Sequence, residues 1–97
     1  MIDLKRAKWV CRVDADYNDE DELFEEWLKQ ADEEIQSDLD RKIIASESER
    51  NDESDIVDCK KIDNAREAFI LYKYSRSLDG KPQAYWSALR SIRNIGV

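Results

Sequence analysis

The chain has no histidine and very little glycine or proline, and these absences narrow what it can do. Its 97 residues include two Gly, one Pro, two Cys and no His. Without histidine it lacks the side chain most often used as a general base and as a metal ligand. Strands joined by tight turns need glycine and proline, so their scarcity favours an all-α fold in a single small domain spanning residues 1–97.

Long apolar runs are also absent. No stretch approaches the roughly 18 residues of a transmembrane helix, and the N-terminus lacks the apolar run of a signal peptide. We therefore expect a protein that is made in the cytoplasm and does not bind a membrane. Cys11 and Cys59 do not have CxxC spacing, which favours two reduced, partly buried thiols over a disulfide or a zinc site.

Charged residues make up 40% of the chain and are unevenly distributed. The net charge is +3 in residues 1–13, −15 in residues 14–58 and +5 in residues 59–97. Nucleic-acid-binding proteins seldom have so acidic a central region. A chain with an acidic region and a basic region can instead attract copies of itself head to tail.

The spacing of apolar residues predicts four helices. They cover approximately residues Leu4–Cys11, with Asp3 as N-cap, and then 20–41, 56–78 and 82–93. Asp19 and Glu22 have the spacing of a capping box at the start of the second helix. The acidic segment 42–55 shows no period, and we interpret it as a mobile loop. The pattern as a whole predicts a compact bundle of about four helices with an acidic loop between the second and third.

The acidic turn after the first helix is an incomplete match to a calcium-binding loop. Asp14, Asp16 and Asn18 occupy the first, third and fifth positions of an EF-hand loop, and Glu25 occupies the twelfth. The sixth position, which requires glycine for a sharp turn, is Asp19. The positive end of a helix dipole favours the same acidic residues. We therefore favour an acidic helix start and predict no metal and no cofactor.

Catalysis has little support in the sequence. There is no glycine-rich phosphate loop, and the serines have no evident base partner. Carboxylates are so frequent that any one pair of them carries little meaning, so we predict that the chain is not an enzyme. The acidic second helix and its loop also fit an acidic interaction module that mimics DNA and inhibits a DNA-binding protein. Acidic helices more commonly serve solubility.

The order of the elements resembles that of a known family. The first helix and corner contain Leu4, Lys8 and Arg12-Val13-Asp14, and the second helix follows an acidic start at 18–21 with Leu23, Leu28 and Ala31-Asp32. After a variable loop come Ala65, the run 68–72 and Tyr74-Ser75-Arg76, and then a Pro82-led helix with Ala88-Leu89-Arg90. This order is similar to that of the small helical head–tail connector proteins of long-tailed phages, also called adaptor or head-completion proteins.

The resemblance implies a function and a set of partners. It implies a subunit that assembles in the host cytoplasm as a homo-oligomeric ring beneath the phage portal protein. The ring would extend the DNA channel, join the head to the tail in the virion neck, and bind a downstream stopper or tail-completion protein. DNA would pass through the channel without specific binding.

A ring of this kind needs one patch of each subunit to meet a different patch of its neighbour. We predict acidic residues on one side and basic or aromatic residues on the other, namely Glu25, Glu26, Glu33 and Glu34 against Lys73, Tyr74, Arg76, Lys81 and Trp86. Exposed ion pairs orient partners more than they bind them, so Trp86 should supply the apolar contact. The C-terminal segment 91–97 is predicted to be a tail that docks on the portal, with Arg90, Arg93, Ile95 and Val97 as its contacts.

Overall fold

A computed structural model of the chain describes residues 2–75 and 80–93, and in this part it has four α-helices and a two-stranded sheet. The elements are α1 (Leu4–Val10), α2 (Asp21–Leu39), β1 (Ile43–Ile44), β2 (Ile56–Val57), α3 (Lys60–Ser75) and α4 (Gln83–Arg93). The prediction of a small all-α bundle is confirmed, and the sheet is a minor addition to it. Residues 76–78, predicted as the end of the third helix, lie outside the described residues.

Helix α1 has a side-chain cap at its N-terminus and a backbone cap at its C-terminus. The side chain of Asp3 accepts a 2.8 Å hydrogen bond from the amide of Arg6, which confirms the predicted N-cap. At the other end, Arg12 has a φ of 59° and its amide donates to Trp9, while the amide of Val13 donates to Lys8. This Schellman arrangement ends the helix and turns the chain into the acidic segment.

Helix α2 buries the apolar stripe predicted from its spacing, at Phe24, Trp27, Ala31, Ile35 and Leu39. The predicted capping box is wrong, because Glu20 is the N-cap and makes no side-chain capping bond. The amide of Asp21 instead donates to the carbonyl of Asn18, so the N-cap lies one residue beyond Asp19, at Glu20.

The start of the third helix was also predicted wrongly. Residues 56–57 form β2, which pairs in parallel with β1, and α3 begins only at Lys60. The amide of Ile56 donates to the carbonyl of Lys42 over 2.8 Å, and the amide of Asp58 donates to that of Ile44 over 2.8 Å. Both strands consist of β-branched residues, which favour extended backbone. A pairing of two residues in each strand is too short to interrupt the apolar spacing from which the helix was predicted.

The acidic segment between β1 and β2 has structure of its own. It contains a 3-10 helix at Glu47–Glu49. The guanidinium of Arg50 donates to the carbonyl of Asp55 over 2.7 Å, and the Asp55 carboxylate accepts hydrogen bonds from the amides of Asn51 and Asp52. The segment is therefore held by internal hydrogen bonds and by the strand pair, whereas the sequence showed only the lack of a period.

The core consists of two clusters joined by α2. The larger cluster packs the C-terminal half of α2 against α3 and α4, with Tyr85, Phe69 and Ile35 almost fully buried at its centre. The smaller cluster packs α1 against the N-terminal half of α2 and against α3, with Ala7, Phe24 and Ile70 fully buried. Helix α1 and helix α4 therefore pack against different halves of α2. Within residues 2–75 and 80–93, no helix is both long and apolar enough to cross a bilayer.

Candidate interaction surface

A buried lysine organises the acidic turn between α1 and α2. The side chain of Lys8 is almost fully buried, and its ammonium group lies 3.3 Å from Asn18 Oδ1 and 3.4 Å from the carbonyl of Ala15. The same group forms an ion pair with Asp21 at the start of α2. A charge can be buried at tolerable cost when it is paired and hydrogen-bonded, so these contacts fix the direction in which the chain enters α2.

The residues of the incomplete calcium loop do not converge on a common point. Asp14 accepts a hydrogen bond from the amide of Asp16, Asn18 faces Lys8, and Glu25 is exposed on α2. In the part of the chain that the structure describes, no three His, Cys, Asp or Glu side chains are placed to hold a metal ion. The cation that the turn does hold is the ammonium group of Lys8.

A second buried cation, Arg66, was not identified from the sequence. Its side chain is 3% exposed and contacts three carboxylates: Asp32 on α2 at 2.6 Å, Asp58 after β2 at 2.8 Å, and Asp63 on α3 at 2.7 Å. Burial alone would lower the pKa of Arg66, but the hydrogen bonds to these carboxylates raise it. The guanidinium thus holds two helices and the strand segment together with charge-assisted hydrogen bonds.

Lys81 and Glu34, which we predicted on opposite sides of a subunit interface, pair with each other inside one chain. The ammonium group of Lys81 lies 2.7 Å from Glu34 and 2.8 Å from Asp38. Asp38 also accepts a 2.7 Å hydrogen bond from the phenol of Tyr85. Burial raises the pKa of Tyr85 most, and this hydrogen bond raises it further. The network attaches the start of α4 to the end of α2, so the charge of Lys81 is already compensated within the chain.

Trp86 is exposed, as predicted, but it lies beside the acidic residues of α2. Its ring is 39% exposed and makes an edge contact with Tyr85 at a centroid distance of 5.1 Å. The ammonium group of Lys81 is 5.5 Å from the Trp86 ring and also bonds to Glu34. Trp86 and the acidic end of α2 therefore form one continuous surface.

Two other predicted interface residues make contacts inside the chain. Tyr74 is half-buried and stacks on Phe24 at 5.7 Å, with Trp27 at 6.5 Å. Lys73 lies over the ring of Phe69 at 5.5 Å. Tyr74 therefore closes the smaller core cluster, and Lys73 covers the edge of the larger one.

The remaining predicted site residues are exposed or undescribed. Glu25, Glu26, Glu33 and Arg90 are exposed. Arg76, Ile95 and Val97 lie outside the described residues, as does the side chain of Arg93. Ser91–Arg93 belong to α4 and Ile92 is fully buried in the core, so these three residues are not part of a free docking tail.

Comparison with known proteins gives one informative result. No curated protein and no solved structure matches the chain. The model of a family described as phage gp6-like head-tail connector protein matches residues 1–92, a range that includes α1, α2, α3 and nearly all of α4. This match confirms the resemblance inferred from the order of the elements. The chain therefore belongs to the phage gp6-like head-tail connector protein family.

Proposed function

We propose that the chain is a subunit of a homo-oligomeric ring in the neck of a phage particle, where it lies beneath the portal, extends the DNA channel and joins the head to the tail. The observation that carries this proposal is the family match over residues 1–92. The family is one of structural connectors, which favours a structural component of the virion over an enzyme. It also implies interaction with other head and tail proteins of the phage.

The distribution of charge supports passage of DNA without specific binding. Residues 14–58 carry a net charge of −15. An acidic channel wall repels DNA phosphates, so that the genome slides past it and is not retained. We propose that exposed carboxylates of this segment that are not used between subunits line the channel.

The proposed partners are a second copy of the chain, the portal protein, and the stopper or tail-completion protein that follows. Trp86 is proposed as an apolar contact between subunits, because it is an exposed aromatic ring next to a charged surface. Arg90 and the C-terminal residues Arg93, Ile95 and Val97 are proposed to contact the portal. Charged contacts of this kind are screened by salt, so assembly should weaken as the ionic strength rises.

Removal of the chain from the phage that encodes it tests this function. If the chain is a connector, the mutant phage should accumulate heads that have received DNA but carry no attached tail. Supplying the wild-type chain from a plasmid should restore tailed particles. Normal numbers of infectious, tailed particles in the absence of the chain would contradict the proposal.

A further inference from the structure

Helix α1 presents an exposed tryptophan that makes no contribution to either core cluster. The side chain of Trp9 is 66% exposed, the most exposed of the large hydrophobic residues described. The guanidinium of Arg6 lies 4.3 Å from its ring centroid and also forms a 3.0 Å ion pair with Glu67 on α3. Arg6 is fixed between the Trp9 ring and Glu67, so its guanidinium covers one face of the ring. The rest of the ring is available to a partner.

The surroundings of Trp9 are basic. Lys5, Arg6 and Arg12 are exposed on the same short stretch of chain, and together with Trp9 we call them the α1 platform. Among the described residues, neither Lys5 nor Arg12 has an ion-pair partner. Trp9 and Arg12 also line a shallow recess of about 440 Å³ with Val10 and Val13. The platform thus combines an aromatic anchor, an apolar recess and two cations, Lys5 and Arg12, that have no ion-pair partner among the described residues.

Helix α2 presents a surface of opposite charge. Glu22, Glu25, Glu26 and Glu33 are exposed along it, and we call these four residues the α2 acidic face. One exposed lysine, Lys29, lies on the same helix, so the five residues together carry a charge of −3. Of the four carboxylates, Glu26 accepts a 3.4 Å hydrogen bond from Gln30, and the acidic face makes no other hydrogen bond or ion pair within the described part of the chain.

Among the described residues, the two surfaces share no hydrogen bond or ion pair within one molecule. Helices α1 and α2 pack against each other through buried residues, Ala7 and Cys11 on α1 and Phe24 and Trp27 on α2. The exposed sides of both helices therefore point away from their shared core. A head-to-tail contact between identical subunits requires two different, complementary surfaces, and these two surfaces are complementary in charge.

We propose that the α1 platform of one copy docks on the α2 acidic face of the next copy, with Trp9 as the apolar anchor and with Lys5 and Arg12 paired to glutamates such as Glu25 and Glu33. This inference rests on the proposed ring and specifies the two surfaces that form it. It replaces Lys81, which is neutralised inside the chain, as the basic partner of α2. Exposed aromatic residues and arginines are the side chains most often found to dominate interface energies.

Nucleic acid is a poorer occupant of the same platform. Arg12 is followed two residues later by Asp14 and then by Asp16, both exposed, at the start of the segment that carries −15. These carboxylates repel phosphates, which supply most of the affinity of basic patches for DNA. The helix of the α2 acidic face also carries Lys29, whereas duplex DNA carries a negative charge at every phosphate, so Asp14 and Asp16 oppose DNA more strongly than they oppose a second copy.

Reversal of charge on each surface, followed by mixing, tests the contact. Variant one carries Lys5→Glu and Arg12→Glu, and variant two carries Glu25→Lys and Glu33→Lys. We expect each variant alone to self-associate about 100-fold more weakly than wild type at low salt, because like charges then face each other. An equimolar mixture should recover large oligomers in which the two variants alternate, because each reversed surface then meets its complement. Light scattering of the purified chains gives the mass, with the cognate portal added if wild type assembles only in its presence.

Matched variants make the outcome specific. Lys60→Glu with Lys61→Glu changes the charge equally at two exposed lysines on α3 and should leave the mass unchanged, whereas Trp9→Ala should weaken association about 30-fold. Circular dichroism confirms that each variant is folded.

Normal assembly of variant one would overturn the docking while leaving the connector function standing. So would a mixture that fails to recover large oligomers although each variant alone is monomeric. Loss of binding to duplex DNA in variant one at an unchanged mass would also overturn it, in favour of a DNA site. A wild-type chain that remains monomeric with and without portal would remove the proposed ring itself.

Discussion

The buried ammonium group of Lys8 lies 3.3 Å from the side-chain oxygen of Asn18, at the centre of the turn that joins α1 to α2. This contact and the ion pair with Asp21 mean that the turn carries its own cation. Together with the apolar packing of α1 on α2, this side chain sets the direction of α1 and with it the placement of the α1 platform.

Replacement of Lys8 by methionine should therefore destabilise the fold. Lys8→Met keeps the length of the side chain but leaves Asp21 without its buried partner, and we expect a loss of about 3 kcal/mol in the free energy of unfolding. Urea unfolding measures this loss. Lys5→Met, at an exposed position of the same helix, should change stability by less than about 0.5 kcal/mol. Equal stability of the two variants would show that the buried ammonium does not organise the turn.

Arg66→Lys should also destabilise the protein, by about 2 kcal/mol, because an ammonium group cannot reproduce the planar fork that reaches three carboxylates. The effect should depend on pH. Burial alone would raise the pKa of Asp58, but its hydrogen bond with Arg66 lowers it overall, so this contribution is present above the ordinary aspartate pKa and is lost as the pH falls below it.

The measurement for Arg66 is the unfolding free energy at a series of pH values from neutral to acid. Wild type should lose stability on acidification more steeply than Arg66→Lys, and the two curves should converge at the lowest pH. Arg90→Lys, at an exposed position of α4, serves as the control and should follow wild type throughout. Parallel curves for wild type and Arg66→Lys would contradict the assigned role of the three carboxylates.

The thiol of Cys11 should limit stability in alkaline solution. Burial, together with the nearby Glu20 carboxylate, raises the pKa of Cys11 from 9.0 to about 11. Because the folded state holds its proton more tightly than the unfolded state, this contribution is fully present below pH 9 and is lost as the pH rises through about 11. Cys11→Ala should therefore lose less stability than wild type over this interval, as measured by urea unfolding at a series of alkaline pH values.

Asp40→Gly should stabilise the protein. Asp40 ends α2 with a φ of 55°, in the left-handed region that glycine adopts without strain. We expect a gain of about 0.5 kcal/mol or more in unfolding free energy, measured by urea unfolding. The matched control is Ser37→Gly, exposed one turn earlier inside the helix, which should lose about 0.5 kcal/mol. A loss of stability in Asp40→Gly would show that the Asp40 side chain stabilises the folded state by more than the strain of its left-handed backbone costs.

Periodicity was sufficient to predict the helices but not the contacts that orient them. The stripe of α2 appears in the sequence as regular apolar spacing, and Asp3 has a recognisable capping position. The pairing of β1 with β2 depends on two residues in each strand, which is too short for a pattern. Lys8 was detectable in principle, because it occupies an inward position between Leu4 and Cys11 on the apolar side of α1. The three carboxylates around Arg66 come from different elements of the chain. A single sequence does not show which of its many acidic side chains will contact this guanidinium.

The interface residues illustrate the same limit. The sequence predicts Glu34 and Lys81 on opposite sides of a subunit interface, and it does not show that they pair within one molecule. Burial of charged residues is decided by tertiary packing, which also left Trp9 exposed beside Arg6.

The C-terminal residues should matter for portal binding and not for folding. Removal of residues 94–97 leaves the buried Ile92 in place, so the truncated chain should unfold at the same urea concentration as wild type. We expect it to retain self-association and to lose binding to the cognate portal, which a pull-down on immobilised portal measures. Undiminished portal capture by the truncated chain would exclude the C-terminus as the docking element.

The mass of the complex between the purified chain and its cognate portal, measured by light scattering at low and high salt, tests the central proposal most directly. We expect a stoichiometric complex that contains several copies of the chain per portal ring and that dissociates as the salt concentration rises. A chain that remains monomeric beside the portal at every salt concentration would contradict the connector function.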